Sequence, residues 1–202
     1  ALGMWTVTLL LKPMIVTLHL LGGMTTLALL LTLLLREARP AFPLVSGEWL
    51  RPLAALALIL VICQIALGGW VSSNYAALAC SDFPLCQGQL KPPMDLAQAF
   101  TLHRELGFSG DGKLLSTAAL TAIHWMHRLG ALAVLACVAT LGVALFRNSR
   151  PVWGSLLFTL LGLQIGLGIA NVLLSLPLGL AVAHNLGAAA LRASSTTLTF
   201  SL

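Results

Sequence analysis

The chain has 202 residues, of which 58% are apolar and only 8% are charged, and its net charge is +5. This composition excludes an ordinary soluble domain and indicates helices that cross a lipid bilayer. The positive charge fits cytoplasmic loops better than nucleic acid, because no basic run with interleaved aromatic residues is present. The chain opens with Ala1-Leu-Gly, without Met or a charged leader, so we predict no signal peptide and expect a piece of a longer protein.

Five apolar stretches of roughly 20 residues each follow one another along the chain, and a helix needs about that length to cross the hydrocarbon core. They cover residues 9–35, 53–71, 117–146, 152–174 and 178–198. The predicted fold is therefore all-α, a polytopic membrane helical bundle surrounded by membrane lipid. Arginines set its orientation, because cytoplasmic loops are enriched in them. They flank the first and third spans and are Arg36, Arg39, Arg51, Arg147 and Arg150. Loop 72–116 then lies outside the cytoplasm.

This outer loop contains two cysteines six residues apart, Cys80 and Cys86. Because the outer compartment is usually oxidising, we predict a disulfide between them. Two free thiols, a metal pair and a redox-active pair are the alternatives. Residues 94–107 have helical periodicity and are predicted to lie on the membrane surface, with His103 solvated there. The other two cysteines fall within spans and are expected to be packing residues, Cys63 and Cys137.

Three histidines lie inside the first, third and fifth spans: His19, His127 and His184. Each is expected about 10–15 Å below the outer face, because a helix rises about 1.5 Å per residue. An intramembrane histidine indicates a functional site, and haem iron takes imidazole as an axial ligand. We predict that His127 and His184 ligate one haem; the alternative is a pair of satisfied core histidines. His124, one turn nearer the surface, could contact a haem propionate. Arg128 could do the same, or it could cap the helix.

Short segments recur within the chain. Residues 13–22 and 177–187 share a proline, then a histidine, then a glycine three residues after the histidine, and Gln64–Gly68 matches Gln164–Gly168. Duplicated helix sets are common in membrane proteins. Residues 52–202 are then one four-helix haem-binding unit. Residues 1–36 are the last transmembrane helix of an incomplete preceding repeat, and residues 37–51 are a cytoplasmic loop. His19 would ligate a second haem.

Three segments in this order resemble the haem A synthase family. They are residues 67–88 with the cysteine pair, Ile123-His-Trp-Met-His127-Arg-Leu-Gly130, and Val182-Ala-His184-Asn-Leu-Gly-Ala188. The resemblance implies an eight-helix fold of two four-helix halves, which oxidises the C8 methyl group of haem O to the formyl group of haem A. It also implies a haem b on His127 and His184 in the carboxyl-terminal half, and a ligand to the substrate haem at His19.

The resemblance further implies a bacterial inner (plasma) membrane location and an electron acceptor that the sequence does not identify. A homo-oligomer and a contact with haem O synthase are the other partners to consider. Two departures stand out. The family's glutamate, one turn before the histidine of its second helix, has His124 at the matching position here, so a complete substrate site is not expected. Residues 192–202 are more polar than the family's last helix, which suggests a truncated or frame-shifted end.

Two other functions fit the composition and the histidines equally well. The first is a b-type cytochrome membrane subunit that relays electrons to or from quinone. The second is a haem carrier or assembly module without redox turnover. Only the three ordered motifs favour the synthase over these alternatives.

Overall fold

The computed structural model describes residues 1–38 and 49–201, and these residues form a bundle of helices. The helices are α1 (Leu2–Thr8), α2 (Pro13–Ala38), α3 (Leu50–Ser73), α4 (Leu96–Ala99), α5 (Thr117–Arg147), α6 (Pro151–Leu173) and α7 (Leu178–Ser201). A 3₁₀ turn covers Ala76–Leu78. The described residues form no β-strand, so the all-α prediction is confirmed. The predicted loop 37–51, with Arg39, lies largely outside the described residues.

Four described helices, α2, α3, α5 and α6, are long and apolar enough to cross a membrane. The prediction of a multi-pass membrane protein is therefore confirmed, although five apolar spans were expected. Helix α7 has 24 residues, which is long enough, but its second half is polar. That half is helical and packs against α2: Arg192 donates to Thr25 Oγ1 at 2.6 Å, and Thr197 and Thr32 share a hydrogen bond of 3.1 Å. Its polar residues thus have partners inside the bundle.

Two predicted helices differ from the structure. The first span, predicted as 9–35, starts later than expected: its first residues form the turn between α1 and α2, in which Leu10 and Leu11 have φ of 51° and 59°. Helix α2 then begins at Pro13, a favoured first helical residue. The surface helix predicted over 94–107 is wrong beyond one turn, because α4 ends at Ala99. The chain turns away there, and the carbonyl of Thr101 accepts a hydrogen bond from Arg104 Nε.

The core lies between α3, α5, α6 and α7. Helix α3 buries one stripe of residues at helical spacing: Leu50, Ala54, Ala57, Val61 and Ile65. Helix α5 packs between α3 and α6, and α7 packs against α2, α3 and α6. Helices α2, α5 and α7 all begin at the end of the bundle that carries the disulfide loop (residues 80–86), called the disulfide end below. Their histidines are therefore brought to the same end.

Candidate functional site

His127 of α5 is held by two residues of α3. Gln64 Nε2 donates to the backbone carbonyl of His127 at 2.9 Å and lies 3.1 Å from its Nδ1. Gly68 lies against the imidazole, since a methyl group at Gly68 would be 3.1 Å from His127 Cε1. Gly130, one turn after the histidine, leaves the space that Gln64 Oε1 occupies. The two glycines thus allow the amide and the ring to fit between closely packed helices.

His184 of α7 is held by α6 in the same way. Gln164 Nε2 donates to the carbonyl of His184 at 2.9 Å and lies 3.5 Å from its Nε2. A methyl group at Gly168 would be 3.3 Å from His184 Cε1, and Gly187 leaves space for Gln164 Oε1. The glutamine and two glycines around each histidine form an arrangement that we call the amide frame.

Part of this arrangement recurs at His19. A methyl group at Gly3 of α1 would be 3.2 Å from His19 Cε1. Gly3 and His19 are 165 residues before Gly168 and His184, and the turns between their helices match at the same offset. The matching residues have positive φ and are Leu10, Leu11, Ser175 and Leu176. His19 is exposed and has no hydrogen bond to a described residue. The α1–α2 pair therefore repeats the α6–α7 pair in its backbone.

His127 and His184 are both partly buried, and their helices both begin at the disulfide end. The amide of each frame lies close to one ring nitrogen of its histidine, Nδ1 of His127 and Nε2 of His184. The described residues include no group of three or more His, Cys, Asp or Glu placed to hold a metal ion. A haem iron needs only two protein ligands in a helical bundle, and these two imidazoles suit it.

Arg128 joins α5 to the outer loop. Its guanidinium donates to the carbonyls of Leu85 at 2.7 Å and Cys80 at 3.0 Å, and its Nε lies 3.2 Å from His124 Nε2. Cys80 and Cys86 form a disulfide with their Cα atoms 4.7 Å apart, so that prediction is confirmed. His124 is buried beneath this loop, next to Arg128. The contact between Arg128 and a haem propionate stays a prediction, because the guanidinium of Arg128 donates to carbonyls of the disulfide loop in the structure.

The disulfide loop is also closed by Asp82. Its carboxylate accepts hydrogen bonds from the backbone N–H groups of Gln87 at 2.7 Å and Gly88 at 2.8 Å. These bonds, that of Gly88 above all, hold the pKa of Asp82 below its ordinary value. The amide of Gln87 donates to Thr121 Oγ1 at 2.9 Å, which adds a second link between this loop and α5.

The sequence predicted the histidines but not their supports. The repeat of Gln64–Gly68 in Gln164–Gly168 was visible, and the structure shows that it marks the residues facing His127 and His184. Arg104 carried no motif, yet it is buried beside an open cleft. His103, predicted to be solvated, is exposed and lines the same cleft.

These features define a class: a multi-pass membrane protein whose helices carry paired histidines suited to a haem. The family model described as cytochrome oxidase assembly protein (COX15-CtaA) matches residues 1–196, and the chain belongs to this family. The resemblance found in the sequence is thereby confirmed.

Several relatives carry the name heme A synthase. The protein of Shewanella oneidensis is 44% identical over 206 residues, which cover all of this chain and 62% of that protein. The protein of Methylobacterium radiotolerans is 32% identical over 190 residues, covering 91% of this chain and 48% of its own length. A Caulobacter protein is 36% identical over 142 residues, covering 68% and 38%. The chain thus spans less than two thirds of the length of these relatives.

Proposed function

We propose that the protein carrying this chain is a haem A synthase of the bacterial inner membrane. It would oxidise the C8 methyl group of haem O to the formyl group of haem A. Family membership and the name of the relatives support this activity. Residues 52–202 would form the four-helix haem b unit, with loop 72–116 extracytoplasmic. Residues 1–36 would close the preceding repeat, as their 165-residue offset from α6–α7 suggests.

The observation that carries the proposal is the recurrence of the amide frame around His127 and His184. These two residues would hold a haem b, which supplies reversible one-electron transfer when bound. The protein's own contribution is to orient the rings and to exclude water with apolar helices. Electrons removed from the substrate would pass to an acceptor outside this chain.

The glutamines suit a ligand histidine because an amide offers both a donor and an acceptor. Each Nε2 is bonded to the histidine carbonyl, which fixes the histidine relative to the neighbouring helix. Among the described residues, the buried Gln64 Oε1 and Gln164 Oε1 have no hydrogen-bond partner, so each leaves an acceptor next to its histidine.

Other predicted site residues take supporting roles in this proposal. His19, on the partial repeat of the frame, would ligate the substrate haem. His124 lies one turn nearer the disulfide end than His127, and the guanidinium of Arg128 reaches the disulfide loop. Both side chains would approach the edge of the haem b. Arg128 keeps its loop carbonyls in that role, because each terminal nitrogen carries two N–H groups.

Replacing His127 or His184 with Ala tests the ligand assignment. Each variant should lose the low-spin haem spectrum of the purified protein, whereas His103→Ala, in the exposed loop, should keep it. An unchanged spectrum in both variants would refute the assignment. Pigment extraction tests the reaction: haem O or haem A beside haem b supports the synthase, and haem b alone supports a b-type cytochrome.

A further inference from the structure

An open cleft of about 600 Å³ lies at the disulfide end, between the α1–α2 turn and residues 102–112. Its apolar lining comes from both sides and includes Met14, Ile15 and Phe108. Its charged and polar lining includes Lys12, His103, Arg104 and Glu105, so two permanent cations stand against one carboxylate. The cleft therefore suits an amphipathic ligand with an acidic end.

Arg104 stands out among the residues that line the cleft, because it is a buried cation. It is only 6% exposed, and its guanidinium lies over the ring of Trp70, 5.4 Å from the centroid. Its Nε and Nη1 donate to the carbonyls of Thr101 and Phe108, each at 3.1 Å. Nη2 is buried and has no hydrogen-bond partner among the described residues. A buried cation of this kind is expected to have an anionic partner.

No carboxylate of the described residues supplies that partner. The carboxylate nearest in sequence, Glu105, is paired with Lys12 Nζ at 2.8 Å, and Arg104 takes part in no salt bridge within the described ranges. Burial lowers the pKa of Arg104 from its ordinary value, which is the direction expected for a cation without a counter-charge. An anion from outside the described residues would compensate it.

The cleft is next to His19. Ile15 lines the cleft, and His19 is four residues later in α2, so both lie on one helix face about 6 Å apart along the axis. Helical side chains lean toward the helix N-terminus, which directs the imidazole of His19 toward the cleft. A macrocycle ligated by His19 would therefore reach the cleft with one edge.

We propose that this cleft, through Arg104 and Lys12, binds the carboxylate side chains of the haem that His19 ligates. This inference rests on the proposed function and adds the group that orients the substrate haem. Arg104 donates through Nη2, and Lys12 at the rim exchanges Glu105 for the incoming carboxylate. Haem has its two carboxylates on one edge, so the site would fix the rotation of the macrocycle about the His19–iron bond.

The test compares haem with its dimethyl ester, which has the same macrocycle without the charges. The whole protein, with its resident haem bound, is placed in phosphatidylcholine nanodiscs and titrated with each while the Soret band is followed. We expect haem to bind about tenfold more tightly than the ester, as one hydrogen bond between charged groups provides. Equal affinities would overturn the proposal. Loss of the preference in discs with phosphatidylglycerol would assign the cleft to a lipid phosphate and overturn it too.

Variants locate the effect. Arg104→Gln should reduce the preference for haem over ester to about twofold or less, and Arg104→Lys should restore part of it. Because Arg104 also donates hydrogen bonds to loop carbonyls, its replacement could disturb the loop, so Lys12→Met at the half-exposed rim is the second variant. We expect it to reduce the preference for haem over the ester several-fold. Lys91→Met, on an exposed loop residue outside the cleft, is the matched control and should keep the full preference. Full preference in both cleft variants would overturn the assignment.

Failure of this inference differs from failure of the proposed function. His19→Ala should weaken haem and ester equally, because it removes the iron ligand and leaves the charges. If the resident low-spin spectrum is present and the ester binds as well as haem, only the carboxylate site is wrong. If the resident spectrum is absent, the assignment of His127 and His184 is wrong.

Discussion

The two complete amide frames share their inner parts and differ in what surrounds them. Each has a glutamine bonded to the histidine carbonyl at 2.9 Å and a glycine against the ring. On α5, however, His124 and Arg128 connect His127 to the disulfide loop. The corresponding positions of α7 are Ala181 and Asn185, which make no such connection.

The difference shows how each histidine helix is fixed. Helix α5 is attached to the disulfide loop through Arg128, whereas α7 is attached to α2 further along the bundle, where Arg192 donates to Thr25 near the middle of both helices. The glutamine and glycines that both frames contain hold the imidazole. The contacts of His124 and Arg128, which only α5 has, anchor that helix to the disulfide loop. Changes in the shared part should affect haem binding itself. Changes in the unshared part should affect one side of the site.

The largest effect is expected from Gly168→Val, which breaks a shared part. The added carbon would press on the ring of His184, since even a methyl group would be 3.3 Å from Cε1. Overpacking typically destabilises by about 1–3 kcal/mol, and here it would displace a proposed haem ligand. We expect most of the bound haem to be lost, as measured by haem content per purified protein. Gly166→Val on the same helix is the control, because that position faces open space. Equal haem content in the two variants would contradict the frame.

The sequence predicted the elements of this site better than their contacts. Apolar length and the histidines were readable, because a buried ionisable group in a span is rare. The partner of His127 was not, since periodicity gives a face of one helix and not the residue opposite it. The break before Pro13 was also missed, because a leucine-rich run such as residues 9–11 carries no turn signal until a folded neighbour fixes it. The contacts of the polar half of α7 were not readable, because its partners Thr25 and Thr32 lie 167 and 165 residues away along the chain.

The second prediction concerns the disulfide loop, which is attached to the helix of His127 and not to that of His184. Replacing Cys80 and Cys86 together with Ser should lower the free energy of unfolding by about 2 kcal/mol, as expected for a short disulfide loop. Arg128 would then bind a loop that the disulfide no longer closes, so the orientation of His127 should become less uniform. The paramagnetic resonance signal of the haem should broaden as a result. Thermal unfolding and paramagnetic resonance measure the two effects. Cys63→Ser, an exposed free cysteine of α3, is the control.

A chemical check accompanies that variant. Cys80→Ser alone should make Cys86 alkylatable without prior reduction. If Cys86 of the unmodified protein already reacts, the disulfide is not formed in the membrane, and the attachment of α5 through the loop needs another explanation.

The third prediction sharpens the comparison between the two glutamines. Gln64→Leu and Gln164→Leu each remove an interhelical hydrogen bond, worth about 1 kcal/mol or less in a membrane bundle. We expect a larger shift in haem reduction potential for Gln64→Leu, because its amide lies 3.1 Å from the ring nitrogen, against 3.5 Å for Gln164. Potentiometric titration measures it, and Gln89→Leu in the outer loop should cause no shift. A larger shift for Gln164→Leu would reverse the ranking.

The smallest effect concerns Asp82, which acts on the His127 side only through the loop that Arg128 binds. Its folded pKa is below the ordinary 3.8, so its contribution to stability is present above about pH 4 and is lost as the pH falls through the folded value. The melting temperature of the unmodified protein should therefore exceed that of Asp82→Asn by a constant small amount from about pH 5 to pH 7, and the gap should close below about pH 4. The carboxylate lies at the protein surface, so solvent screens its charge, and its hydrogen bonds to Gln87 and Gly88 are the contacts that would be lost. A gap that widens toward acid would mean that a different group closes this loop.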